Sequence, residues 1–226
     1  IWPIVAVKCD SAMPSPLPSQ QGKLALAAED AVRARIDGCD AVLIGCGMGR
    51  SEESDALTRR LIDMDKPLVL DADGINALAA NIDILKNIKA PVILTPHPGE
   101  MSRLTGMSIA DIERDRVNVA RRFADEYGVV LLLKGASTVI AGAGRRDAYI
   151  NVTGNQGMAR GGSGDMLSGI ILALLAQGVY PFDAAVLGAY IHGAAGDAAA
   201  RKLSLSSMLA SDCIAALPRV LRTLER

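Results

Sequence analysis

A glycine-rich loop that leads into an apolar stretch carries the strongest chemical signal in the chain. The segment from Asn155 to Gly178 reads NQGMARGGSGDMLSGIILALLAQG, and five of its first fifteen residues are glycine. Apolar residues then recur at helical spacing, which predicts a helix with one buried face. Free backbone N–H groups and the positive end of the helix dipole meet where a loop enters a helix, so we expect an anion site there. Asp165 falls in the first helical turn, and a carboxylate beside that anion suggests phosphate chemistry with a nearby base.

Two acidic residues follow a second short apolar run. Pro67–Leu70 is predicted to be a strand, and Asp71 and Asp73 come directly after it. Ligands bind at the carboxyl ends of strands in open α/β sheets, so both carboxylates are candidate site residues. Asp73 could equally be the N-cap of a helix at 74–80.

His97 and Glu100 lie in the motif LTPHPGE, after a predicted strand at 91–94. His97 sits in a stiff loop between two prolines at the ligand side of the sheet, which favours a site role. Lys134 follows a continuous apolar strand at 129–133. We expect it to neutralise a phosphate, although a solvated lysine beside a glycine turn is the alternative.

A second glycine-rich turn, GCGMGR, follows a short predicted strand at 40–44. Its pattern is GxGxG. The dinucleotide fingerprint GxGxxG and the P-loop sequence GxxxxGK[ST] do not occur in the chain. A tight strand-to-helix turn and a ligand-binding loop are therefore both open here.

Strands alternate with helices through residues 40–134, and this order predicts an α/β fold with a mostly parallel sheet and helices on both faces. We expect a single domain over residues 1–226, with residues 1–22 irregular and an antiparallel hairpin formed by 138–141 and 148–151. Predicted helices cover 23–36, 55–64, 74–80, 109–127, 182–202, 206–217 and 218–224. His192 lies in the 182–202 helix and is interpreted as a packed helix residue.

Composition limits the classes of function. The 24 basic and 25 acidic residues nearly balance, so a nucleic-acid surface is not expected. Four widely spaced cysteines and two histidines make zinc improbable and favour reduced thiols in a cytoplasmic enzyme. No apolar run reaches the roughly 18 residues that a membrane span requires. The opening IWPIVAVK has no features of a signal peptide and is typical of the interior of a longer protein.

Five segments, in this order and spacing, resemble the ADP/ATP-dependent NAD(P)H-hydrate dehydratases of the ribokinase-like superfamily. They are GCGMG, LVLDADGINAL, ILTPHPGE, LLLKGASTVI and NVTGNQGMARGGSGDMLSGI. The resemblance covers about residues 23–225. It implies a three-layer α/β/α fold and an enzyme that removes water from the S-epimer of NADHX or NADPHX at the expense of ADP or ATP. The implied chemistry is phosphorylation of the ring hydroxyl followed by elimination of phosphate.

The resemblance also implies residue roles. Asp165 would be the catalytic base and would contact the hydrate. The implied nucleotide-binding residues are Lys134, Gly135, Ala136, Ser137, Thr138, Gly161, Gly162, Ser163 and Gly164. The implied substrate-binding residues are Gly47, Gly49, His97 and Asn155.

Phosphoryl transfer further implies Mg²⁺, for which Asp71 and Glu100 are candidate ligands through water. The family resemblance also implies a homo-oligomer, a tetramer, and a fused or separate NAD(P)HX epimerase.

One feature of the family is not found. The usual N-terminal strand, loop and helix, with the small-residue turn after them, do not occur in the chain. We therefore expect a sheet without its N-terminal strand–helix segment, an exposed edge strand, and weak or no dehydratase activity. Two alternatives stay open: a ribokinase-like kinase for a hydroxymethyl heterocycle, and a nucleotide-binding module without catalysis.

Overall fold

The computed structural model describes residues 2–9 and 11–225. The helices are α1 Trp2–Lys8, α2 Glu29–Ile36, α3 Glu52–Leu61, α4 Ala72–Leu78, α5 Pro98–Thr105, α6 Ile109–Arg114, α7 Arg116–Tyr127, α8 Ser163–Ala176, α9 Pro181–Lys202 and α10 Ala210–Leu224. The strands are β1 Ser19–Gln20, β2 Lys23–Leu24, β3 Val42–Ile44, β4 Leu68–Leu70, β5 Val92–Leu94, β6 Val130–Leu133, β7 Val139–Gly142 and β8 Tyr149–Ile150. Short 3₁₀ turns lie at Leu26–Ala28, Ile82–Asn87 and Gln156–Met158.

The main sheet has six strands in the order β3-β4-β5-β6-β7-β8. Strands β3 to β6 are parallel, and β7 and β8 add on in antiparallel fashion. The predicted mostly parallel sheet and the predicted hairpin are thus confirmed. The carboxyl ends of the four parallel strands share one rim, where the polar residues that follow them are collected.

Helices cover both faces of this sheet, because alternate strand residues point to opposite sides. Leu68 and Leu70 of β4 pack into one apolar cluster with α3 to α7, whereas Val69 between them packs into another with α8 and α9. The predicted three-layer α/β/α arrangement is confirmed. A smaller apolar cluster joins α8, α9 and α10 beyond the sheet.

The edge of the sheet lies where the sequence predicts it. Within residues 2–9 and 11–225, β3 is the end strand and pairs on one side with β4. Val42 and Leu43 of β3 are only half-buried, whereas all three residues of β4 are buried. In the part of the chain that the structure describes, no helix is both long and apolar enough to cross a membrane.

Several predictions of local structure are wrong. Residues 2–8 form a helix whose first turn accommodates Pro3, since a proline there removes no intrahelical bond. The predicted helix 109–127 is broken at Asp115, whose backbone leaves the helical region (φ −143°, ψ 52°) and whose carboxylate accepts hydrogen bonds from the Asn118 amide instead. Helix α10 runs through Pro218, where we expected a boundary.

The first part of the predicted helix 23–36 is also wrong, because β2 and a 3₁₀ turn precede α2. Tertiary contacts explain this change. The backbone N–H of Leu26 donates to the Glu53 carboxylate of α3, so the segment before α2 is held by a distant helix rather than by its own helical bonds. Local periodicity does not carry that information.

Candidate active site

The glycine loop enters α8 through a left-handed residue. Gly162 is the N-cap of α8 with φ 85°, a conformation that side-chain-bearing residues rarely adopt. The helix then begins at Ser163 and carries Asp165 in its first turn. Backbone N–H groups at this end have no partners within the helix, so the loop offers donors and the positive end of a helix dipole to an anion.

A buried ion pair lies beneath that loop. Asp71 is 1% exposed and caps α4, and its carboxylate accepts hydrogen bonds from Lys134 Nζ at 2.7 Å and Ser168 Oγ at 2.7 Å. Burial alone would raise the pKa of Asp71, but the Lys134 ammonium and these hydrogen bonds hold that pKa below its ordinary value. Lys134 therefore faces the glycine loop with its position fixed, and the alternative of a freely solvated lysine is wrong.

Asp165 belongs to a cluster on one side of this ion pair. A carboxylate oxygen of Asp165, one of Asp71 and the sulfur of Cys46 lie within 4.8 Å of one another. Burial, and then the charges of the two carboxylates, raise the pKa of the Cys46 thiol to about 12. The thiol is thus neutral at physiological pH, while Asp165 is exposed and free to meet a ligand.

The second glycine turn is anchored to the start of α4. A side chain at Gly45 would place its Cβ 1.7 Å from the Asp71 carbonyl oxygen, so only glycine permits this approach. Gly49 has φ 71° and its N–H donates to Asp73 Oδ2 at 2.9 Å. Asp73 therefore anchors the glycine turn, and Asp71 takes the N-cap position that we considered for Asp73.

His97 forms the N-cap of α5 in a reciprocal arrangement with Glu100. The His97 ring nitrogen Nδ1 accepts from the backbone N–H groups of Gly99 and Glu100, and the Glu100 carboxylate accepts from the His97 N–H at 2.8 Å. The other ring nitrogen, Nε2, lies 3.4 Å from Glu100 Oε1, and the side chain is half exposed. Glu100 is itself buried and lies 3.9 Å from Lys134 Nζ.

The Lys134–Thr138 turn rests on Arg116 of α7. The guanidinium Nη2 donates to the carbonyl oxygens of Leu133 and Lys134 at 2.9 and 3.1 Å. A Cβ at Gly135 would lie 2.5 Å from that nitrogen, so a side chain there would require the guanidinium to shift. The backbone of this turn is consequently held rigid where it meets the glycine loop.

These elements enclose a cavity of about 880 Å³ at the carboxyl rim of the sheet. Its walls are the His97–Pro98 loop, the turn after β6, the segment from Asn151 to Gly164 and one face of α9. Among the described residues the charged lining groups are Lys134 and Arg160, and no carboxylate lines the cavity. The volume and the sign of the charge suit an anionic small molecule.

The structure brings many of the predicted site residues to this cavity. Those lining it are His97, Lys134, Gly135, Ala136, Thr138, Asn155, Gly161, Ser163 and Gly164. Within the described residues, Gly47, Gly49, Asp71, Glu100, Ser137, Gly162 and Asp165 are not part of its lining. Asp165 and Asp71 instead lie together beside Cys46, next to the cavity wall at Gly164.

Two residues of α9 belong to the site and were not predicted. His192 lines the cavity, and its Nε2 lies 3.2 Å from Ser163 Oγ. Asp197 accepts hydrogen bonds from the Gly154 N–H at 3.0 Å and from the Asn155 side-chain amide at 2.9 Å. Ala189, His192, Gly193, Gly196 and Asp197 follow a helical repeat of three and four residues, a small and polar stripe that could have identified this face.

The two carboxylates predicted to hold a metal ion both lie near the ammonium group of Lys134. Both Asp71 and Glu100 face Lys134, at 2.7 and 3.9 Å, so direct ligation would bring a divalent ion against an ammonium group. The neutral thiol of Cys46 is a poor ligand for Mg²⁺, which prefers oxygen. The donor set therefore fits a hydrated ion held through water, as expected for phosphoryl transfer, and Asp165 adds an exposed carboxylate beside it.

The fold and its rim define the class of this protein. The crystal structure of a ribokinase-like superfamily protein from Enterococcus faecalis superposes with a TM-score of 0.77 at 26% identity, over 98% of this chain and 73% of that chain. The protein thus has the ribokinase-like fold. The family model described as NAD(P)H-hydrate dehydratase matches residues 4–219. The chain belongs to the NAD(P)H-hydrate dehydratase family.

Two relatives show how similar this chain is to known proteins of the family. A bifunctional NAD(P)H-hydrate repair enzyme from Moorella thermoacetica is 46% identical over 98% of this chain, which spans 42% of that enzyme. An ADP/ATP-dependent NAD(P)H-hydrate dehydratase from Bacillus subtilis, co-crystallised with ATP/Mg²⁺, is 34% identical with a TM-score of 0.73. That superposition covers 81% of this chain and 64% of the B. subtilis chain. The chain thus spans less than two thirds of either relative.

Proposed function

We propose that the chain carries the machinery for nucleotide-dependent dehydration of (6S)-NADHX or NADPHX to NADH or NADPH, with ADP giving AMP and phosphate. The observation that carries the proposal is the arrangement around Gly164. A basic cavity without carboxylates in its described lining lies on one side, and the Asp165–Asp71 pair lies next to it. In this arrangement the glycine loop would separate the phosphate donor from the base.

The cavity is proposed to hold the adenine nucleotide. Its phosphates would lie against the N-terminus of α8, where the loop N–H groups and Lys134 neutralise charge. The turn from Lys134 to Thr138, held by Arg116, would contact the AMP part. The B. subtilis relative, which was co-crystallised with ATP/Mg²⁺, supports an adenine nucleotide in this role.

Asp165 is proposed to act as the base. Its carboxylate would take the proton from the ring hydroxyl of the hydrate while the oxygen attacks the terminal phosphorus of the nucleotide, and AMP would leave. The new C–O–P linkage then breaks at the C–O bond, inorganic phosphate departs and a ring proton is lost to restore the double bond. Hydroxide is a poor leaving group and phosphate a much better one, so the intermediate phosphorylation makes the loss of water feasible.

Gly47, Gly49 and His97 are proposed to contact the hydrate. Asp73 holds Gly49 in place, and the His97 side chain is half exposed at the cavity wall. A hydrated magnesium ion bound through Asp71, Glu100 or Asp165 would supply neutralisation of the developing phosphate charge. Asn155 is committed to Asp197 and to the Gly157 N–H, so its proposed contribution is to shape the loop around the substrate.

A coupled assay tests the proposal. Incubation of the protein with chemically prepared NADHX, ADP and Mg²⁺ should regenerate absorbance at 340 nm and release AMP and phosphate in equal amounts. ATP in place of ADP, and NADPHX in place of NADHX, give the preferences for each substrate. Omission of the nucleotide is the control and should leave the absorbance flat.

Other outcomes correspond to the two alternatives. A stable phosphorylated product without recovery of absorbance at 340 nm would indicate a kinase of the same fold. Binding of ADP or AMP without turnover would indicate a nucleotide-binding module.

We further propose a homo-oligomer, a tetramer. We also propose cooperation with an NAD(P)HX epimerase, which the bifunctional character of the M. thermoacetica relative favours. Light scattering tests the oligomeric state, and turnover of the other epimer tests the cooperation with an epimerase.

A further inference from the structure

A serine and a histidine meet on the wall of the cavity, and the chemistry proposed above gives the histidine no role. Ser163 is the first residue of α8, directly after the left-handed Gly162. His192 comes from α9, and its Nε2 lies 3.2 Å from Ser163 Oγ. Both side chains line the cavity, so the pair lies where the glycine loop would hold a phosphate.

The position of His192 is fixed by how α9 packs against the loop. A Cβ at the next residue, Gly193, would lie 2.2 Å from the Thr153 hydroxyl and 2.6 Å from the Thr153 backbone. A Cβ at Gly196, one turn on, would lie 2.1 Å from Met158 Sδ. The absence of side chains at both positions lets α9 lie directly on the segment from Thr153 to Met158, and His192 is held on that rigid helix.

The ring is neutral under physiological conditions. Burial lowers the pKa of His192 to about 4, with the positive charge of Lys134 adding to the effect and a hydrogen bond to the Ser163 backbone opposing it. A neutral imidazole has one N–H, so Nε2 either donates to Ser163 Oγ or accepts from it. These two arrangements differ in what the serine can offer to a ligand.

A phosphate distinguishes between the two arrangements, because its oxygens accept hydrogen bonds and do not donate them. If Nε2 accepted from the serine, the hydroxyl would present only lone pairs to the phosphate. If Nε2–H donates, the hydroxyl hydrogen is free to point at a phosphate oxygen. We propose that His192 is a positioning residue whose Nε2–H donates to Ser163 and so directs the Ser163 hydroxyl onto the terminal phosphate of the bound nucleotide. This inference rests on the proposed nucleotide site.

Calorimetric titration of the full chain with ADP and with AMP tests the inference, since AMP lacks the terminal phosphate. His192→Phe and Ser163→Ala should each weaken ADP binding by about tenfold, the size of one hydrogen bond to a charged group, and should leave AMP binding within about twofold. The double variant should be no weaker than the weaker single variant, because both changes remove the same contact. His192→Gln should recover most of the ADP affinity, since its amide can still donate.

Tyr190→Phe, on the same helix, is the matched control and should bind both nucleotides as the wild type does. Equal losses for ADP and AMP, additive effects in the double variant, or a His192→Gln variant as weak as His192→Phe would overturn the inference. If His192→Phe fails to fold, Ser163→Ala and His192→Gln still decide it. A wild-type chain that binds neither nucleotide would instead remove the proposed function itself, and this outcome is distinct from the others.

Discussion

Asp165 differs from the other carboxylates of the site in being exposed. Asp71 is buried and its carboxylate accepts three hydrogen bonds, while the Glu100 carboxylate accepts one from the His97 N–H in a capping box. Neither carboxylate is therefore free to take a proton from a ligand. Asp165 lies beside them at the start of α8 with its side chain open to solvent. At the scale of the single residue, it is the carboxylate that the fold leaves available for the role of base.

We therefore expect Asp165→Asn to abolish turnover without unfolding the protein. Loss of a general base lowers rates by about 10²- to 10⁴-fold, whereas the neutral side chain removes only a helix-dipole interaction of about 0.3–1 kcal/mol. Turnover at 340 nm and urea denaturation measure the two effects. Asp183→Asn in the first turn of α9 is the matched control, because it removes an equivalent charge away from the loop. Turnover within a few-fold of the wild type in Asp165→Asn would exclude this residue as the base.

His192 gives a second prediction at this scale, which concerns pH. Its pKa is about 4 in the folded protein and 6.5 ordinarily, so the unfolded chain binds the proton more readily. The stability that follows from the neutral ring is fully present above about pH 6.5 and is lost as the pH falls to about 4. The loss amounts to about 3 kcal/mol.

The measurement compares the wild type with His192→Gln in urea at pH 7, 5.5 and 4.5. Carboxylates that titrate in the same range contribute equally to both proteins, so the difference between the two curves isolates the histidine. We expect that difference to change by about 2.4 kcal/mol in favour of the glutamine variant between pH 7 and pH 4.5. Parallel curves would show that the ring takes up its proton without cost in the folded state.

At the scale of the element, α9 forms one wall of the cavity. Its small residues are used within the chain: Gly193 lies against Thr153 and Gly196 against Met158. Asp197 then ties the Gly154–Asn155 segment to the same helix. The small residues of α9 thus have a packing role within the chain, while the oligomeric state stays a proposal.

Gly193→Ala should therefore destabilise the protein by about 1–3 kcal/mol, the usual cost of overpacking, because backbone rather than a flexible side chain stands in the way. Gly169→Ala in α8 is the control, since no atom lies within 4 Å of a Cβ there. Its helical position predicts a gain of roughly 0.5–1 kcal/mol. Thermal and urea unfolding measure both, and a stable Gly193→Ala variant would contradict the packing argument.

Local sequence signals explain which parts of the site were predictable. Lys134 and His97 follow buried strands in the chain, so alternation of strands with helices was enough to place them on one rim. Ser168 and Asp197 meet their partners across long stretches of sequence, 97 residues for Ser168–Asp71 and 42 for Asn155–Asp197. No local pattern encodes such pairings, which is why they were missed. His192 was interpreted as a packed helix residue because its partner is likewise distant.

At the scale of the whole molecule, the cavity is lined by segments that are far apart in the sequence. Its lining comes from the loops after β5 and β6, from the loop before α8 and from α9. A ligand that fills the cavity would contact all of them at once. Ligand binding and global stability should consequently be linked.

ADP is therefore expected to raise the melting temperature of the whole protein. A ligand at 100 times its dissociation constant stabilises the folded state by about 2.7 kcal/mol, and for a chain of this size each kcal/mol corresponds to about 2–4 °C. The expected shift is thus about 5–10 °C, measured by differential scanning calorimetry. Asp165→Asn should keep this shift, because its carboxylate is not part of the cavity lining in the described structure. Lys134→Met should lose most of it, and the same temperature with and without ADP in the wild type would show that the cavity is not the nucleotide site.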